Sequence, residues 1–498
     1  MAPVRPGDPK QVVAAIGDLC KELVEWTGEV FQLCKDAEGF LAKGQGDSAM
    51  RSGAEALAKA LHLVGEEFVI TGASLTKPQA NMADSVVKQL LKAFRDKGDK
   101  PGEALALSIS ADNCLCQRET AKALKAAQSA VPIYRALNDQ KGEANVMCSI
   151  INARLAKASA GVNPVIEMTD KASETIEMMK QKRMRELDQA LDTAKELVKF
   201  FIAMCDRKGE AKALDKLAQV YIFREDVELA KQHAREQRSI YLELNDVYGE
   251  AEALRTTVNA NLQDTEDSDD ALTAAKDVLK LFQGRDRKTD KDDRKSVADA
   301  LHAISEVHIQ RWEVQEAMEA AQDALSIYRD LGEKRQGQAK VLHTQAQIYT
   351  MEKKTAEAVA AAKEAASVFQ EVGDPAGEAA SLHSAAFMEF EDLFLEMEAN
   401  PKQFLPEQND RFKEAWSTVL RAYGIFQELQ IPDGEAQVQD TINSVIDRAR
   451  RIHMQVAQPI KTIYVVDPVT REQTLVHIYD TAPRTDADED EEEDDDED

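Results

Sequence analysis

The sequence GEAKALDKLAQVYIFREDVELAKQHAREQRSIYLELNDVYG spans residues 209–249 and shows how the whole chain is organised. Small and apolar residues recur at helical spacing in two blocks, GEAKALDKLAQVYIF and EDVELAKQHAREQRSIYLEL. Ala218 and Tyr221 mark the first block, Ala230 and Tyr241 mark the second, and Gly249 opens the next unit. Small residues that face each other let two antiparallel helices approach closely, and the aromatic ring fills the groove beside them. The stretch therefore predicts one helical hairpin.

The same marks return along the chain. Eight times an alanine is followed eleven residues later by Phe or Tyr, and successive alanines lie 40, 67, 40, 41, 46, 41 and 57 residues apart. A period near 40 that is interrupted by insertions predicts a solenoid, because a single hairpin cannot bury its apolar face alone. The pairs are Ala83/Phe94, Ala123/Tyr134, Ala190/Phe201, Ala230/Tyr241, Ala271/Phe282, Ala317/Tyr328, Ala358/Phe369 and Ala415/Phe426.

A glycine usually follows the aromatic residue by eight positions, most often within Gly-Glu-Ala. Turn-forming stretches such as KGDKP, LNDQK, LNDVY and VGDPA stand before it, where Asn, Asp, Gly and Pro end one helix and start the next. The acidic residue after the glycine suits the first turn of a helix, where the macrodipole favours negative charge. These glycines are Gly102, Gly142, Gly209, Gly249, Gly377 and Gly434, together with Gly337, which follows Tyr328 by nine residues.

This spacing resembles the tetratricopeptide repeat (TPR), and the period near 40 is similar to the longer TPR variety of spindle-orientation and G-protein-signalling adaptors. The resemblance covers roughly residues 65–455 and implies an all-α, right-handed superhelix of about eight helical hairpins. We expect an N-terminal helical cap over 1–64, the solenoid over 65–456, a β-hairpin over 457–480 and a disordered acidic tail over 481–498.

Three insertions are predicted within the solenoid. The first, near 156–186, holds Met178, Met179 and Met184. It is interpreted as an extended helix whose methionines pack on the array, or alternatively as an adaptable contact surface. The second, 284–295, is a polar loop of mixed charge. The third, 390–410, either caps the solenoid or anchors a partner through its apolar residues, which are Phe390, Leu393, Phe394, Leu395, Phe404 and Leu405.

The C-terminal region changes character. TIYVV (462–466) and TLVHIYD (474–480) flank a turn and are rich in β-branched and aromatic residues, which predicts a β-hairpin. An isolated hairpin is marginal in water, so it should dock on the last helix or pair with another chain. The stretch from Asp486 to Asp498 carries twelve carboxylates, which predicts a disordered tail that solubilises the chain or attracts basic proteins.

The composition excludes several classes of function. The net charge is −28 and no stretch clusters Lys and Arg, so we expect no direct nucleic-acid binding. No run approaches about 18 apolar residues, so no membrane span is expected. The N-terminus lacks the apolar core of a secretory signal, and the six cysteines lack a disulfide-scaffold spacing. These features favour the cytoplasm, with a nuclear or cytoskeletal location left open.

Motifs for catalysis, cofactors and metals are missing from the sequence. There is no Gly-rich phosphate loop followed by Lys, no GxGxxG after a strand and no HExxH, so we expect no catalytic, cofactor or metal site. Cys114 and Cys116 form a CxC without a second Cys or His pair at zinc spacing. Cys114 occupies the aromatic position of its repeat, and core packing is predicted for it.

The resemblance implies that the first helix of each hairpin lines a concave groove, into which the side chain three residues before the small residue points. Most residues at this position, and at the position just after the small residue, are polar, as a peptide-binding groove would be; the alternative is a solvated surface without a ligand. We also predict a ladder of three histidines whose charge depends on pH near neutrality. The first position holds Ser108, Cys148, Asp215, Arg255, His302, His343 and His383, and the second holds Asp112, Gln219, Asn259, Glu306 and Gln347.

The favoured function is a non-catalytic adaptor or scaffold that binds a peptide of another protein on the concave face of the superhelix. One alternative is a structural component of a large cytoskeletal or axonemal assembly, docked through the insertions. Another is a chaperone or histone carrier that uses the acidic tail.

Overall fold

The structure is a computed structural model, and it describes residues 8–23, 28–71, 77–159, 170–262, 268–283, 291–332, 336–399, 406–429, 431–451, 459–466 and 473–479. Helices dominate these ranges, and they confirm the predicted α-solenoid. The helices are α1 (Pro9–Leu23), α2 (Gly28–Ala42), α3 (Gly46–Thr71), α4 (Lys77–Asp96), α5 (Lys100–Cys116), α6 (Thr120–Leu137), α7 (Gln140–Ser159), α8 (Asp170–Ala203), α9 (Arg207–Phe223), α10 (Val227–Leu244), α11 (Val247–Asn261), α12 (Ser268–Gln283), α13 (Lys291–Gln310), α14 (Val314–Leu331), α15 (Gln336–Met351), α16 (Thr355–Val372), α17 (Pro375–Ala399), α18 (Pro406–Leu429) and α19 (Pro432–Arg451).

Each odd-numbered helix from α5 to α17 packs against the even-numbered helix that follows it, and each hairpin packs against the next. We call the first helix of a hairpin its A helix and the second its B helix; α19 takes the place of a further A helix. Successive A helices contact one another, as in α5 with α7, α9 with α11, and α15 with α17, whereas successive B helices make no comparable contact within the described ranges. In a curved two-layer array the crowded layer lies inside the curve, so the A helices form the inner layer.

An aspartate starts many of the A helices. Asp99 caps α5, Asp206 caps α9 and Asp246 caps α11, and each carboxylate accepts a hydrogen bond from the backbone N–H of the marker glycine three residues later, at 2.9–3.1 Å. Such a cap satisfies one of the N–H groups that a helix start leaves without a partner. The preceding B helices end in left-handed residues such as Gly98, Asn138, Asn245 and Gly373, which turns the chain into the cap.

The marker glycine and the marker aromatic residue form one joint between hairpins. A Cβ placed on Gly249 would lie 2.2 Å from the Tyr241 ring, and one on Gly377 would lie 2.5 Å from the Phe369 ring. The aromatic ring thus rests directly on the glycine backbone, and no larger residue fits without moving the buried ring. This close approach explains why the two marks travel together in the sequence, and the same contact recurs at Gly102, Gly142, Gly209, Gly337 and Gly434.

At the N-terminus α1 and α2 pack on α3, and α1 also packs on α4. Val12, Ile16 and Leu19 of α1 are buried in one cluster with Leu57 and Leu61 of α3. The domain boundary predicted at 64/65 falls inside α3, which is continuous from Gly46 to Thr71. This helix therefore crosses the predicted boundary between the cap and the solenoid.

The insertions mostly lengthen helices. In the first, α7 ends at Ser159 and α8 starts at Asp170, which agrees with an extended helix. Its methionines do not pack on the array, however, because Met178 is 64% exposed and Met184 is 41% exposed. The prediction of packed methionines is therefore wrong for these two residues. In the second insertion, residues 291–295 belong to α13 rather than to a loop.

The third insertion extends both α17 and α18 beyond the length of their counterparts. Phe390, Leu393 and Phe394 are buried in a cluster with α18 and α19, and the Phe412 ring stacks on Trp416 beside Phe390. These side chains therefore stabilise the last hairpin itself, while Leu395 is 61% exposed. Phe404 and Leu405 lie outside the described residues.

Two antiparallel strands follow α19 within the segment for which the sequence predicts a hairpin: β1 (Pro459–Val466) and β2 (Gln473–Tyr479). Thr462 pairs with His477 and Tyr464 pairs with Leu475. The prediction for the acidic tail falls outside the described residues. Across the described ranges, no helix combines the length and the apolarity that crossing a membrane requires.

Candidate peptide-binding face

The twelve predicted groove residues lie on consecutive A helices, with Ser108 and Asp112 on α5, Cys148 on α7 and the other nine on α9 to α17. Within a helix the two predicted positions are four residues apart, so they share one face. We call this surface the A face. Asp215 and Gln219 lie on α9, Arg255 and Asn259 on α11, His302 and Glu306 on α13, His343 and Gln347 on α15, and His383 on α17.

In the N-terminal half of the array, carboxylates of the A face bind hydroxyls of the next A helix. Asp215 is 7% exposed and accepts a hydrogen bond from Thr256 Oγ1 at 2.8 Å. Its second oxygen accepts one from Gln219 Nε2 at 2.7 Å. Asp112 likewise accepts one from Ser149 Oγ at 2.6 Å. These buried carboxylates connect neighbouring hairpins and have little surface left for a ligand.

In the C-terminal half, histidines take the same role. His302 Nε2 lies 2.8 Å from Thr344 Oγ1, and His383 Nε2 lies 2.8 Å from Thr441 Oγ1. Between them, His343 Nδ1 lies 3.1 Å from Ser381 Oγ. We call these side-chain bonds between successive A helices, with those of Asp112 and Asp215, the polar ladder. The predicted row of three histidines is therefore present, but each ring binds the next helix.

The burial of the ladder lowers the basicity of two of these rings. Desolvation lowers the pKa of His343 below its ordinary value, and the neighbouring His302 lowers it further. Burial also lowers the pKa of His383. Both rings are consequently neutral near pH 7, which corrects the prediction that the charge of the whole histidine row would change near neutrality.

The exposed part of the A face is smaller than predicted. Arg255, Asn259 and Gln347 are exposed, and the side chain of Glu306 is 42% exposed. Asp215, His302, His343 and His383 instead have partners on the adjoining A helices. Gln219 is tied to Asp215. The A face thus presents a few exposed side chains on a rigid row of bonded ones.

One exposed residue of the A face is absent from the predicted set. Phe387 lies ten residues after Gly377, which is the repeat position of Gln347 and Gln219, and it is 45% exposed. Counting from the marker glycine would have identified it. An aromatic side chain with this exposure offers a peptide an apolar anchor that the polar residues lack.

The cysteines of the CxC motif pack as predicted. Cys114 is 9% exposed and Cys116 is fully buried, and burial raises the pKa of Cys114 to about 11. A thiol with a raised pKa is a poor nucleophile at neutral pH. Among the residues that the structure describes, no group of three or more His, Cys, Asp or Glu side chains could hold a metal ion.

Comparison with known proteins finds similarity to solved structures. No protein-family model matches the chain, and no curated protein does. BtubC from P. vanneervenii is 16% identical, with a TM-score of 0.40 over 49% of this chain and 92% of that one. The apo form of RapI is 11% identical, with a TM-score of 0.41 over 79% of this chain and 99% of that one.

A third structure is a signal-transduction ATPase with a tetratricopeptide repeat sensor from Pyrococcus horikoshii. It is 12% identical, with a TM-score of 0.35 over 89% of this chain and 74% of that one. Such low identity and overlap have no bearing on function. The helical-repeat fold rests on the helices and contacts of this chain, and its binding surface is argued from its own residues.

Proposed function

We propose that this chain is a non-catalytic adaptor that binds a peptide of another protein along the A face. The observation that carries the proposal is the row of exposed side chains Arg255, Asn259, Gln347 and Phe387 on the inner layer of helices. Three of them can form hydrogen bonds with a peptide backbone, and Phe387 can cover an apolar side chain.

The polar ladder prepares this surface for binding. Because His302, His343 and His383 are bonded to the next A helix, the helices that carry the exposed side chains are held in fixed relative positions. A surface that is ordered before binding loses less conformational entropy when a peptide arrives. Many shallow contacts distributed over several hairpins can then add up to a useful affinity.

The two alternatives have less support. A component of a cytoskeletal or axonemal assembly would dock through the 390–410 insertion, but Phe390, Leu393 and Phe394 are buried in their own hairpin. A chaperone or histone carrier would bind basic proteins through the acidic tail, which lies outside the described residues. We propose that the partners are other proteins, not nucleic acids or membranes, and that the chain is located in the cytoplasm.

The test is affinity purification from the native cell with the variant Arg255→Ala/Asn259→Ala/Gln347→Ala/Phe387→Ala. The matched control is Lys276→Ala/Gln322→Ala/Gln370→Ala/Leu420→Ala, which removes a similar set of exposed side chains from the B helices. We expect the first variant to lose one set of partners that the control keeps, with equal melting temperatures. If both variants retain every partner of the wild-type protein, the A face is not the binding surface.

A further inference from the structure

Residues 178–186 of α8 form an exposed helical segment next to the array. Between residues 178 and 186 no described side chain is buried, and the first buried ones are Leu187 and Ala190. Met178 is 64% exposed and Met184 is 41% exposed. Apolar side chains stabilise a fold when they are buried, so these two exposed methionines do not stabilise the segment. We call residues 178–185 the α8 overhang.

Among the described residues, polar contacts tie the overhang to its neighbours. Arg183 Nη2 donates a hydrogen bond to the carbonyl oxygen of Phe223 at 3.1 Å, and its guanidinium lies 3.6 Å from the Glu225 carboxylate. One turn further on, Glu186 forms an ion pair with Arg154 at 2.8 Å. These contacts all lie on one side of the helix, which leaves the opposite side open.

The open side has a distinct composition. Met178, Lys182 and Arg185 lie at positions i, i+4 and i+7 and so share a face, which Met184 flanks, whereas Lys180 lies on the other side of the helix. None of the three cations forms an ion pair with a described carboxylate, although many other described cations do, such as Arg154, which binds Glu186. A group of unpaired cations is notable in a chain whose net charge is −28.

We propose that the α8 overhang docks an acidic peptide segment of a partner protein that also carries apolar side chains. Lys182 and Arg185 would attract its carboxylates, and the flexible Met178 and Met184 side chains would adapt to its apolar residues. This site is separate from the A face, so it goes beyond the function proposed above.

The charge of the chain favours a peptide over an anionic membrane. A membrane is a broad negative surface that would meet the whole chain and its net charge of −28, whereas a short peptide meets mainly the charges within a Debye length of about 8 Å. The overhang also lacks the Trp and Tyr side chains that anchor helices at membrane surfaces. The chain's own segment from Asp486 to Asp498 has carboxylates but no apolar residue larger than Ala487 to cover the methionines.

The test uses a fluorescein-labelled synthetic peptide of about four helical turns, with Glu on one face and Leu on the other. Its binding to the full chain is followed by fluorescence anisotropy at low and high salt. We expect Met178→Ser/Met184→Ser to weaken binding about tenfold at both salt concentrations. Lys182→Gln/Arg185→Gln should weaken it at low salt and remove most of the salt dependence.

The control variant is Lys199→Gln/Ile202→Ser, which changes an exposed cation and an exposed apolar residue near the other end of α8. It should bind as the wild type does, and so should the fourfold A-face variant, which separates this site from the proposed function. The proposal is overturned if the peptide does not bind, or if the methionine variant binds it equally well. Binding of phosphatidylserine vesicles in place of the peptide also overturns it. So does a methionine variant without effect together with peptide binding that becomes about tenfold tighter when residues 486–498 are deleted.

Discussion

The two halves of the array join their A helices with different chemistry. In the N-terminal half, Asp112 and Asp215 accept hydrogen bonds from Ser149 and Thr256. In the C-terminal half, histidine rings occupy that role, as His302 does opposite Thr344. The hydroxyl side of the ladder is constant and the other side varies. Each of these contacts between successive A helices therefore pairs a buried hydroxyl with a polar side chain, which is a carboxylate in one half and an imidazole in the other.

The burial of the hydroxyls explains why each is paired with a polar side chain. Thr256 is 7% exposed, Thr344 is 4% exposed and Ser381 is fully buried. Thr256 and Thr344 also bond to the carbonyl oxygens of Glu252 and Lys340 in their own helices, and the group on the neighbouring helix gives each buried hydroxyl a further partner. A carboxylate and a neutral imidazole can both be this partner, but they respond differently to acid.

The largest effect should be equal in both halves, because the joints between hairpins are the same. We expect Gly249→Ala and Gly377→Ala each to lower the free energy of unfolding by about 3 kcal/mol, since the new Cβ would overlap the buried Tyr241 or Phe369 ring. Urea denaturation followed by circular dichroism measures this loss.

Gly424→Ala is the matched control for the joints. This glycine lies inside α18, and a Cβ there would meet nothing within 4 Å. The substitution should stabilise the chain by up to about 1 kcal/mol, because alanine has the higher helix propensity. Equal stability of Gly249→Ala and the wild type would contradict the account of the joint.

A smaller effect should appear when one rung of the ladder is removed. We expect Asp215→Ala to cost about 2 kcal/mol, because the Gln219 amide loses its acceptor and the Thr256 hydroxyl keeps only the Glu252 carbonyl of its own helix. Hydrogen exchange of the α9 and α11 amides measures this loss locally. Gln219→Ala removes a bond within one helix and should cost no more than about 0.5 kcal/mol. Equal losses for the two variants would show that the bond between α9 and α11 contributes no more to stability than the bond within α9.

The smallest effect should be a difference between the two halves in how their stability depends on pH. In the folded chain the pKa values of His343 and His383 lie below their ordinary value of 6.5, so on acidification the unfolded chain binds protons first. Their contribution to stability is complete above pH 6.5 and is lost as the pH falls below it. From pH 7.5 to 5.5, exchange corrected for its intrinsic rate should quicken in α15, α17 and α19 and change little in α5, α9 and α11.

The double variant His343→Gln/His383→Gln tests the cause of this difference. Glutamine can still bond with Ser381 and Thr441 but does not become charged in this range. Its C-terminal half should therefore exchange equally at both pH values. If the variant keeps the pH dependence of the wild type, other groups are responsible.

The fold was predictable from the sequence because its main steric requirement is local. Tyr241 and Gly249 stand eight residues apart, and their contact leaves the same mark in nearly every unit. The extent of the helices was less predictable. The boundary at 64/65 falls inside α3, and residues 291–295 belong to α13, because packing against neighbouring helices determines where these helices begin.

The candidate site was likewise only partly predictable from the sequence. The repeat position alone identified the A face, since residues at one position of successive helices must face the same side. It did not show that Asp215 is buried, because its partner Thr256 is 41 residues away on another helix. Nor did it show that Met178 stays exposed, which depends on how far α8 reaches past the array.

The sequence by itself determined the repeat, the helical class and the side of each helix that faces inward. It could do so because helical periodicity and the contact between glycine and aromatic ring act over a few residues. Only the tertiary structure decided which polar side chains are bonded between successive A helices and which remain exposed for a partner. Those outcomes depend on the distance between residues about forty positions apart, which is established when the hairpins stack.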